Sequence, residues 1–422
     1  MTDIIETLQN RGFIYQTTHD QELRDHLRTP RTYYVGFDPT ADSLHVGSLV
    51  PIMAMAHLQK AGHKPIAIVG GGTARVGDPS GKTEMRKMLT AEQIEQNQAG
   101  LHTQLSRYLN LDGQAGRLIN NDQWLLGLGY VDFLREVGCH FSINRMLTAE
   151  SVKLRLETGL SFIEFNYMLL QAYDFYILMR DYQCSIQMGG QDQWGNIVAG
   201  IDLCRRMGIE EQTFGITFPL IMNSNGTKFG KSVEGNVWLS AERTSPLDYY
   251  QFWRNVDDTD VKRFLLLFTF LPESEIAQLT ADGANINRAK EILGFEATRL
   301  NHGLEAAQQA FATAVTRFGQ ADPQGEVQTS SAIREVAIQK VADMPEVAVQ
   351  HNELGEIGFL QLLVRAEFAA SNSEARRLIQ GGGVKMGERV ITDPQARLEA
   401  SDLAVDPILR AGKKRFKKVV VQ

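Results

Sequence analysis

Cysteine is scarce in this 422-residue chain: Cys139, Cys184 and Cys204 are far apart and no Cys-x-x-Cys pair occurs. That excludes a disulfide framework and a cysteine-based zinc site, and in apolar surroundings all three read as reduced core residues. Long apolar runs are missing as well. The greasiest, Phe264 to Leu271, is far too short to span a bilayer, and Asp3 and Glu6 stand where a signal peptide would be apolar. A cytoplasmic protein with no membrane partner is expected. Net positive charge is also absent: 43 Lys and Arg against 50 Asp and Glu give −7, which taken whole speaks against a nucleic-acid partner.

The distribution of charge says otherwise. Residues 361–422 hold 12 Lys and Arg against 7 Asp and Glu, a surplus of five, so the first 360 carry −12. A basic tail on an acidic body suggests that the tail meets a polyanion while the body handles something else. With 43% hydrophobic and 22% charged residues the chain is that of a soluble globular protein, long enough for two to four domains.

The most informative stretch is Tyr33 to Ser48. An apolar, aromatic run ends at Gly36 and an Asp38-Pro39 turn follows. His45 and Gly47 then open a helix, expected to be amphipathic, with Leu49, Val50, Ile52, Met53 and Met55 on its inner side. A strand, tight turn and helix start aim unpaired N–H groups at one point and favour an anion there, such as a nucleotide phosphate. Residues 1–32 before it read as one helix and a turn ending at Pro30. After it, Pro65 to Val69 is a buried strand running into Gly70-Gly-Gly-Thr73, which completes a βαβ unit. Two glycine motifs fail here: Arg75 stands where a dinucleotide fingerprint needs glycine, and Val76 where a Walker A loop does. What remains is a loop from Gly77 and Asp78 to Lys82 and Arg86, able to close over a polyphosphate or, on charge alone, to be a solvated basic turn.

Residues 89–138 read as mostly helical. Over Ser161 to Tyr182 a helix puts Tyr167, Gln171 and Asp174 on one stripe among Phe165, Met168, Leu169, Leu170 and Phe175. Such polar groups need a ligand or one another. Cys184 to Met188 is another strand, leading into Gly190-Gln191-Asp192-Gln193, and Ile216 to Met222 a further one. An Asn225-Gly226 turn precedes Lys228-Phe-Gly-Lys231-Ser232. Residues 244–319 are helix-rich, and 321–355 turn polar and read as a tether with some helix. Beyond it come an apolar helix from Leu360, a second helix capped by Ser373 with Arg376 and Arg377, and a hairpin over Val384 to Val390.

Tyr34 to Ser48 resembles the nucleotide-binding motif of class I aminoacyl-tRNA synthetases, and in wording that of the bacterial tyrosyl-tRNA synthetase family. Lys228 to Ser232 resembles the second class motif, in the right order. The family usually ends the first motif with a second histidine; Ser48 takes its place and keeps one hydroxyl for the ATP ribose. Residues 356–422 resemble an S-four type RNA-binding module.

The resemblance implies an α/β fold: a Rossmann-like doubly wound parallel sheet over 1–222, with an insertion at about 121–165 carrying a homodimer contact. An α-helical anticodon-side domain at 223–320, a linker at 321–355 and a small α+β module would follow. Implied roles are tyrosine binding for Tyr34, Asp78, Tyr167, Gln171, Asp174 and Gln187, with Tyr34 and Asp174 reading the phenol. Gly36, Asp38, Gly47, Ser48, Gly190, Asp192, Gln193 and Ser232 would hold ATP. Thr40, His45, Lys82, Arg86, Lys228 and Lys231 would stabilise the reacting phosphates. Arg376, Arg377, Lys385, Lys413, Lys414 and Arg415 would meet RNA. ATP enters as substrate with Mg2+, tRNA(Tyr) and L-tyrosine are the other partners, and neither DNA nor a resident metal is implied. Two other readings remain: a tryptophan-specific relative, and an inactive paralogue that regulates through its RNA-binding module.

Overall fold

In a computed structural model the described residues are 3–80, 90–224, 229–232, 235–336, 345–387, 389–405, 407–412 and 415–422. The chain divides into two units, Met1–Phe311 with Ala321–Glu335, and Ala312–Gln320 with Val336–Gln422.

The first unit begins with α1 (Ile4–Asn10), β1 (Gln16–Thr17), α2 (Asp20–His26), β2 (Thr32–Phe37), α3 (Leu49–Lys60), β3 (Lys64–Val69), α4 (Ala91–Leu105) and β4 (Arg117–Asn120). Short helices α5 (Asp122–Leu125), α6 (Tyr130–Glu136), α7 (Ile143–Met146), α8 (Glu150–Thr158) and α9 (Phe162–Phe165) fill the expected insertion. Then come α10 (Tyr167–Tyr182), β5 (Cys184–Gly190), α11 (Trp194–Arg206), β6 (Phe214–Phe218) and the two-residue strands β7 (Lys231–Ser232) and β8 (Gly235–Asn236). Then follow α12 (Pro246–Arg254), α13 (Val261–Phe268), α14 (Glu273–Leu279), α15 (Ile286–His302) and α16 (Leu304–Phe318), the last with its residues from Ala312 onward counted in the second unit.

Six strands pair in the order β1-β6-β5-β2-β3-β4, all parallel except β1. From β2 the chain runs outward through β3 to β4, then returns to lay β5 on the other side of β2. The carboxyl ends of β2 and β5 therefore flank the switch point, where a doubly wound sheet opens a crevice.

Several local expectations give way. The N-terminal region holds two helices and an edge strand, not one helix and a turn; β1 is only two residues long and carries no readable pattern. The helix after His45 is not amphipathic. From Leu49 to Leu58 every residue but Pro51 is buried, because the helix packs between β3 and α13; a helix apolar all round belongs inside. β4 was hidden, since only Leu118 and Ile119 are apolar in it. The strand expected at 216–222 is β6, four residues earlier at its end. Cys184 and Cys204 are buried as expected, but Cys139 is exposed.

Residues 329–331 and 346–349 of the expected tether are tied down. Ser331 Oγ donates to Glu296 Oε1 at 2.6 Å, and Thr329 and Ser330 hydroxyls donate to Glu275, each at 2.6 Å. The polarity of 329–331 is that of side chains satisfying carboxylates on α14 and α15. Glu346–Val349 forms β9, which pairs parallel with β13 in the second unit.

That second unit contains β9, α17 (Phe359–Arg365), α18 (Asn372–Gln380), β10 (Val384–Met386), β11 (Arg389–Val390), α19 (Ala400–Val405), β12 (Ile408–Ala411) and β13 (Arg415–Val421). Its sheet, in the order β11-β10-β12-β13-β9, shares one core with the helices through Phe359, Leu362, Ile379, Leu409 and Val419. The helix, helix, hairpin order is as expected. The cap of α18 is Ser371, whose Oγ accepts the Glu374 N–H; Ser373 already lies within the helix.

Candidate active site

A cavity of about 540 Å³ opens at the switch point, within the size range of small-molecule sites. β2 supplies Tyr34 and Gly36, the turn after it Asp38 and Thr40, and the next turn His45 and Ser48. Asp78 comes from the loop after β3; Tyr167, Gln171 and Asp174 line up on α10; Gln187, Gly190 and Gln193 come from β5 and the turn beyond it. Residues spread over 160 positions thus meet because the parallel strands end side by side.

At the floor, Asp174 is buried and held from two sides. Trp124 Nε1 donates to Oδ1 at 2.7 Å and Asn121 Nδ2 to Oδ2 at 2.9 Å. Burial pushes its carboxyl up to about 7, against the pull of those two donors. Asn121 also donates to Thr73 Oγ1 at 3.1 Å, and Thr73 donates to Asp38 Oδ1 at 2.9 Å. Tyr167 Oη donates to the other oxygen of Asp38 at 3.1 Å. Two atoms lining the floor lack partners among the described residues: the Tyr34 hydroxyl and Gln187 Oε1, on side chains 2% and 1% exposed. Burial, and then the nearby charge of Asp174, hold the Tyr34 phenol well above its usual range. Buried polar atoms of this kind carry a cost that a complementary ligand removes.

Beside the floor, Asp78 accepts from Ser80 N–H at 2.9 Å and from Gln193 Nε2 at 2.7 Å. Asn196 Nδ2 donates to both Gln171 Oε1 and Gln193 Oε1, at 2.9 and 3.0 Å. Three carboxylates, Asp38, Asp78 and Asp174, line the cavity, and no Lys or Arg does so among the described residues. A ligand ammonium group is favoured here.

Towards the mouth, His45 Nδ1 accepts the Gly47 N–H at 3.0 Å, which leaves Nε2 as the proton-bearing nitrogen. Gly47 leaves room for that imidazole: a Cβ there would stand 2.7 Å from the His45 ring, which would have to shift. Val46 N–H donates to Val237 O and Val237 N–H to Gly230 O, so the backbone leading into Lys231 and Ser232 adjoins the first motif. Asp192 lies next to the wall at Gly190, where an added Cβ would come within 2.4 Å of its Oδ1. Lys82, Arg86 and Lys228 lie outside the described residues, as do Lys413 and Lys414. In the second unit Arg376, Arg377, Lys385 and Arg415 are exposed, Arg415 also donating to Phe368 O.

Sequence reasoning missed Thr73, Asn121, Trp124 and Trp238. The first three follow strand ends, and Asn120-Asn121-Asp122 would have drawn notice had β4 been recognised. Trp238, on the cavity wall, carries no sequence signal. Among the described residues no cluster of His, Cys, Asp or Glu is arranged to hold a metal, and no helix is long and apolar enough to cross a membrane.

Residues 27–319 match the family described as tRNA synthetases class I (W and Y), and residues 336–419 the tyrosine–tRNA ligase SYY-like C-terminal domain. The chain is 53% identical to the tyrosine–tRNA ligase of Desulfosudis oleivorans and 52% to that of Desulfatibacillum aliphaticivorans, each over 99% of both chains. Among solved structures, a C-terminally truncated Aspergillus nidulans mitochondrial tyrosyl-tRNA synthetase overlays with a TM-score of 0.67 at 29% identity, covering 75% of this chain and 95% of that one. Fold, paired motifs and full-length relatives agree: the chain belongs to the class I tRNA synthetases of the tryptophan and tyrosine group, in the tyrosine–tRNA ligase family.

Proposed function

We propose that the cavity takes L-tyrosine at its floor and ATP at its mouth, and that the chain charges tRNA(Tyr) in two steps. The tyrosine carboxylate attacks the α-phosphorus of ATP in line; the bond to the bridging oxygen breaks, leaving tyrosyl-adenylate and pyrophosphate. The attacking carboxylate is already ionised, so no protein base is needed and catalysis comes from positioning and charge stabilisation. A ribose hydroxyl of the terminal adenosine of tRNA then takes the tyrosyl group and AMP leaves.

The observation that carries this reading is a pair of buried atoms without partners among the described residues, Tyr34 Oη and Gln187 Oε1, beside the doubly held carboxylate of Asp174. A phenol both donates and accepts: its proton suits Asp174 and its oxygen suits the Tyr34 hydroxyl. An indole N–H donates only, and phenylalanine does neither. Asp78, Tyr167 and Gln171 receive the ammonium group. Gly36, Asp38, Gly190, Asp192 and Gln193 surround the adenosine, with Ser48 at the ribose. Thr40 and His45, with Lys82, Arg86, Lys228, Lys231 and Ser232, stabilise the phosphates. ATP brings its own Mg2+.

Among the described residues, eight of the fifteen large exposed apolar side chains, including Tyr130, Val131, Ile143 and Phe162, fall between positions 126 and 163. That concentration supports a homodimer built through the insertion. Arg376, Arg377, Lys385 and Arg415 of the second unit, with Lys413 and Lys414, meet tRNA(Tyr), in the cytoplasm. The deciding experiment is ATP–pyrophosphate exchange with tyrosine, tryptophan and phenylalanine side by side. Tyrosine alone should support it; equal exchange with tryptophan overturns the assignment.

A further inference from the structure

Two segments far apart in the chain make one wall of the cavity. Leu44 to Val46 runs antiparallel to Val237 to Leu239, with Leu239 N–H donating to Leu44 O at 2.8 Å and Val46 N–H to Val237 O at 2.9 Å. His45 and Trp238 face each other across this pairing, their rings 6.2 Å apart, and both line the cavity. The pairing is an isolated bridge, outside both larger sheets. Something else must fix its place.

Helices α4 and α15 supply that support. Gln104, buried on α4, accepts the Leu44 N–H at 2.8 Å through Oε1, and the Ser43 hydroxyl, 2.8 Å from Leu44 O, also lies 3.3 Å from that Oε1. Ser43 Oγ in turn accepts the Ser240 N–H at 3.1 Å, so one side chain of α4 reaches both strands. From α15, buried Asn301 donates Nδ2 to Leu239 O at 3.0 Å; from just beyond the end of α4, Arg107 Nη1 donates to the same carbonyl at 3.2 Å. Asn97 and Gly100 extend the contact along α4. Asn97 donates to Pro39 O at 2.8 Å, and a Cβ on Gly100 would stand 2.0 Å from Asp42 O. Positions 97, 100 and 104 share one helix face, and that face follows the backbone of the first motif from Pro39 to Leu44.

We infer that Gln104 and Asn301 are positioning residues for the nucleotide step: neither lines the cavity, yet together they hold the two-strand clip that sets His45 and Trp238 against ATP. This rests on the ligase reading. The two amides act with opposite polarity, Gln104 as acceptor and Asn301 as donor. Exchange for the matching acid therefore separates this role from simple packing. Gln104→Glu keeps the accepting oxygen, whereas Asn301→Asp sets a second acceptor against the Leu239 carbonyl.

The test is tyrosine-dependent ATP–pyrophosphate exchange with the full chain. For Gln104→Met, KM for ATP rises and the exchange rate falls, by about tenfold or more together, because small misplacement at a reacting centre is costly. The tyrosine dissociation constant stays within about twofold. Gln104→Glu stays close to the wild type; Asn301→Asp falls with Gln104→Met. Arg107→Met removes one of two donors on an exposed side chain, and shows the same direction at about threefold even if a buried variant fails to fold. Unchanged ATP parameters in Gln104→Met or Arg107→Met overturn the inference. So do equal losses for Glu and Met at 104, or tyrosine affinity falling in step. An inert wild type would instead sink the ligase reading. The clip is then read by amide hydrogen exchange, which Gln104→Met must speed at Leu44 and Leu239 together, unchanged exchange there overturning it.

Discussion

At the floor of the cavity the polar groups stand on long regular elements: Tyr34 on β2, Gln187 on β5, Tyr167, Gln171 and Asp174 on α10. At the mouth, His45, Ser48 and Gln193 stand on or beside helical turns of three residues, Val46–Ser48 and Gln191–Gln193. The floor is also cross-linked. From Trp124 through Asp174, Asn121, Thr73 and Asp38 to Tyr167, each side chain is fixed by the next. At the mouth the groups that line the cavity are set by backbone, the Gly47 N–H on His45 and a pairing with a distant segment, and side chains outside the cavity, Gln104 and Asn301, brace that pairing. Recognition of a neutral phenol needs fixed donors and acceptors, since one unpaired atom must exclude the wrong amino acid. Handling a triphosphate needs close backbone approach and charge, which turns provide. Changes at the mouth should therefore strike rate, and changes at the floor should strike choice of amino acid.

The sharpest way to break this division is His45→Ala. Loss of one aimed donor should slow adenylate formation by about 10²–10³-fold while tyrosine affinity barely moves. Single-turnover adenylate formation and equilibrium tyrosine binding measure the two separately. If both fall together, floor and mouth are one unit.

Next in size is Asp174→Asn, which should weaken tyrosine binding by about 10–100-fold, the scale of a lost charge-assisted hydrogen bond. pH sharpens the same point. With its carboxyl pushed up to about 7 by burial, Asp174 of the free enzyme is largely neutral at pH 6 and ionised at pH 8. A neutral acid carries a proton where Trp124 or Asn121 already donates, so it receives the phenol poorly. KM for tyrosine should fall roughly tenfold from pH 6 to pH 8, and Asp174→Asn should flatten that profile. The stability sign is opposite. A folded-state pKa raised above its unfolded value contributes stability that is present below about pH 4 and lost as pH rises through about 7. Thermal unfolding of the free protein should show this, with added tyrosine reversing it at pH 8.

The sequence carried the site better than it carried the scaffold. Tyr34, Asp78, Tyr167, Gln171, Asp174 and Gln187 all line the cavity: Tyr167, Gln171 and Asp174 stood out as polar residues on one stripe of an apolar helix, whereas Tyr34, Asp78 and Gln187 were implied by the family resemblance alone. The scaffold was lost where tertiary contacts override local pattern. α3 is buried all round, so it shows no amphipathic stripe; β4 is an edge strand with two apolar residues. The polarity of 321–335 reflects bonds to Glu275 and Glu296 that no local window contains. Asn121 and Trp124 were missed for the same reason, since their meaning depends on Asp174, some fifty residues on. Gln104 and Asn301 are legible only in three dimensions.

The smallest effect tests the floor most directly. Tyr34→Phe removes a hydroxyl that has no protein partner among the described residues, so folding should lose little and burial of the ring against Phe175 is retained. What changes is the ligand's account of its own oxygen. Tyrosine loses one hydrogen bond, while phenylalanine no longer leaves that hydroxyl stranded, so the ratio of kcat/KM for the two should shrink by about fivefold or more. Asp174 still demands a donor, and tyrosine should remain preferred. An unaltered ratio would mean that the phenol is read by Asp174 alone, and that the buried hydroxyl of Tyr34 answers to something other than the amino acid.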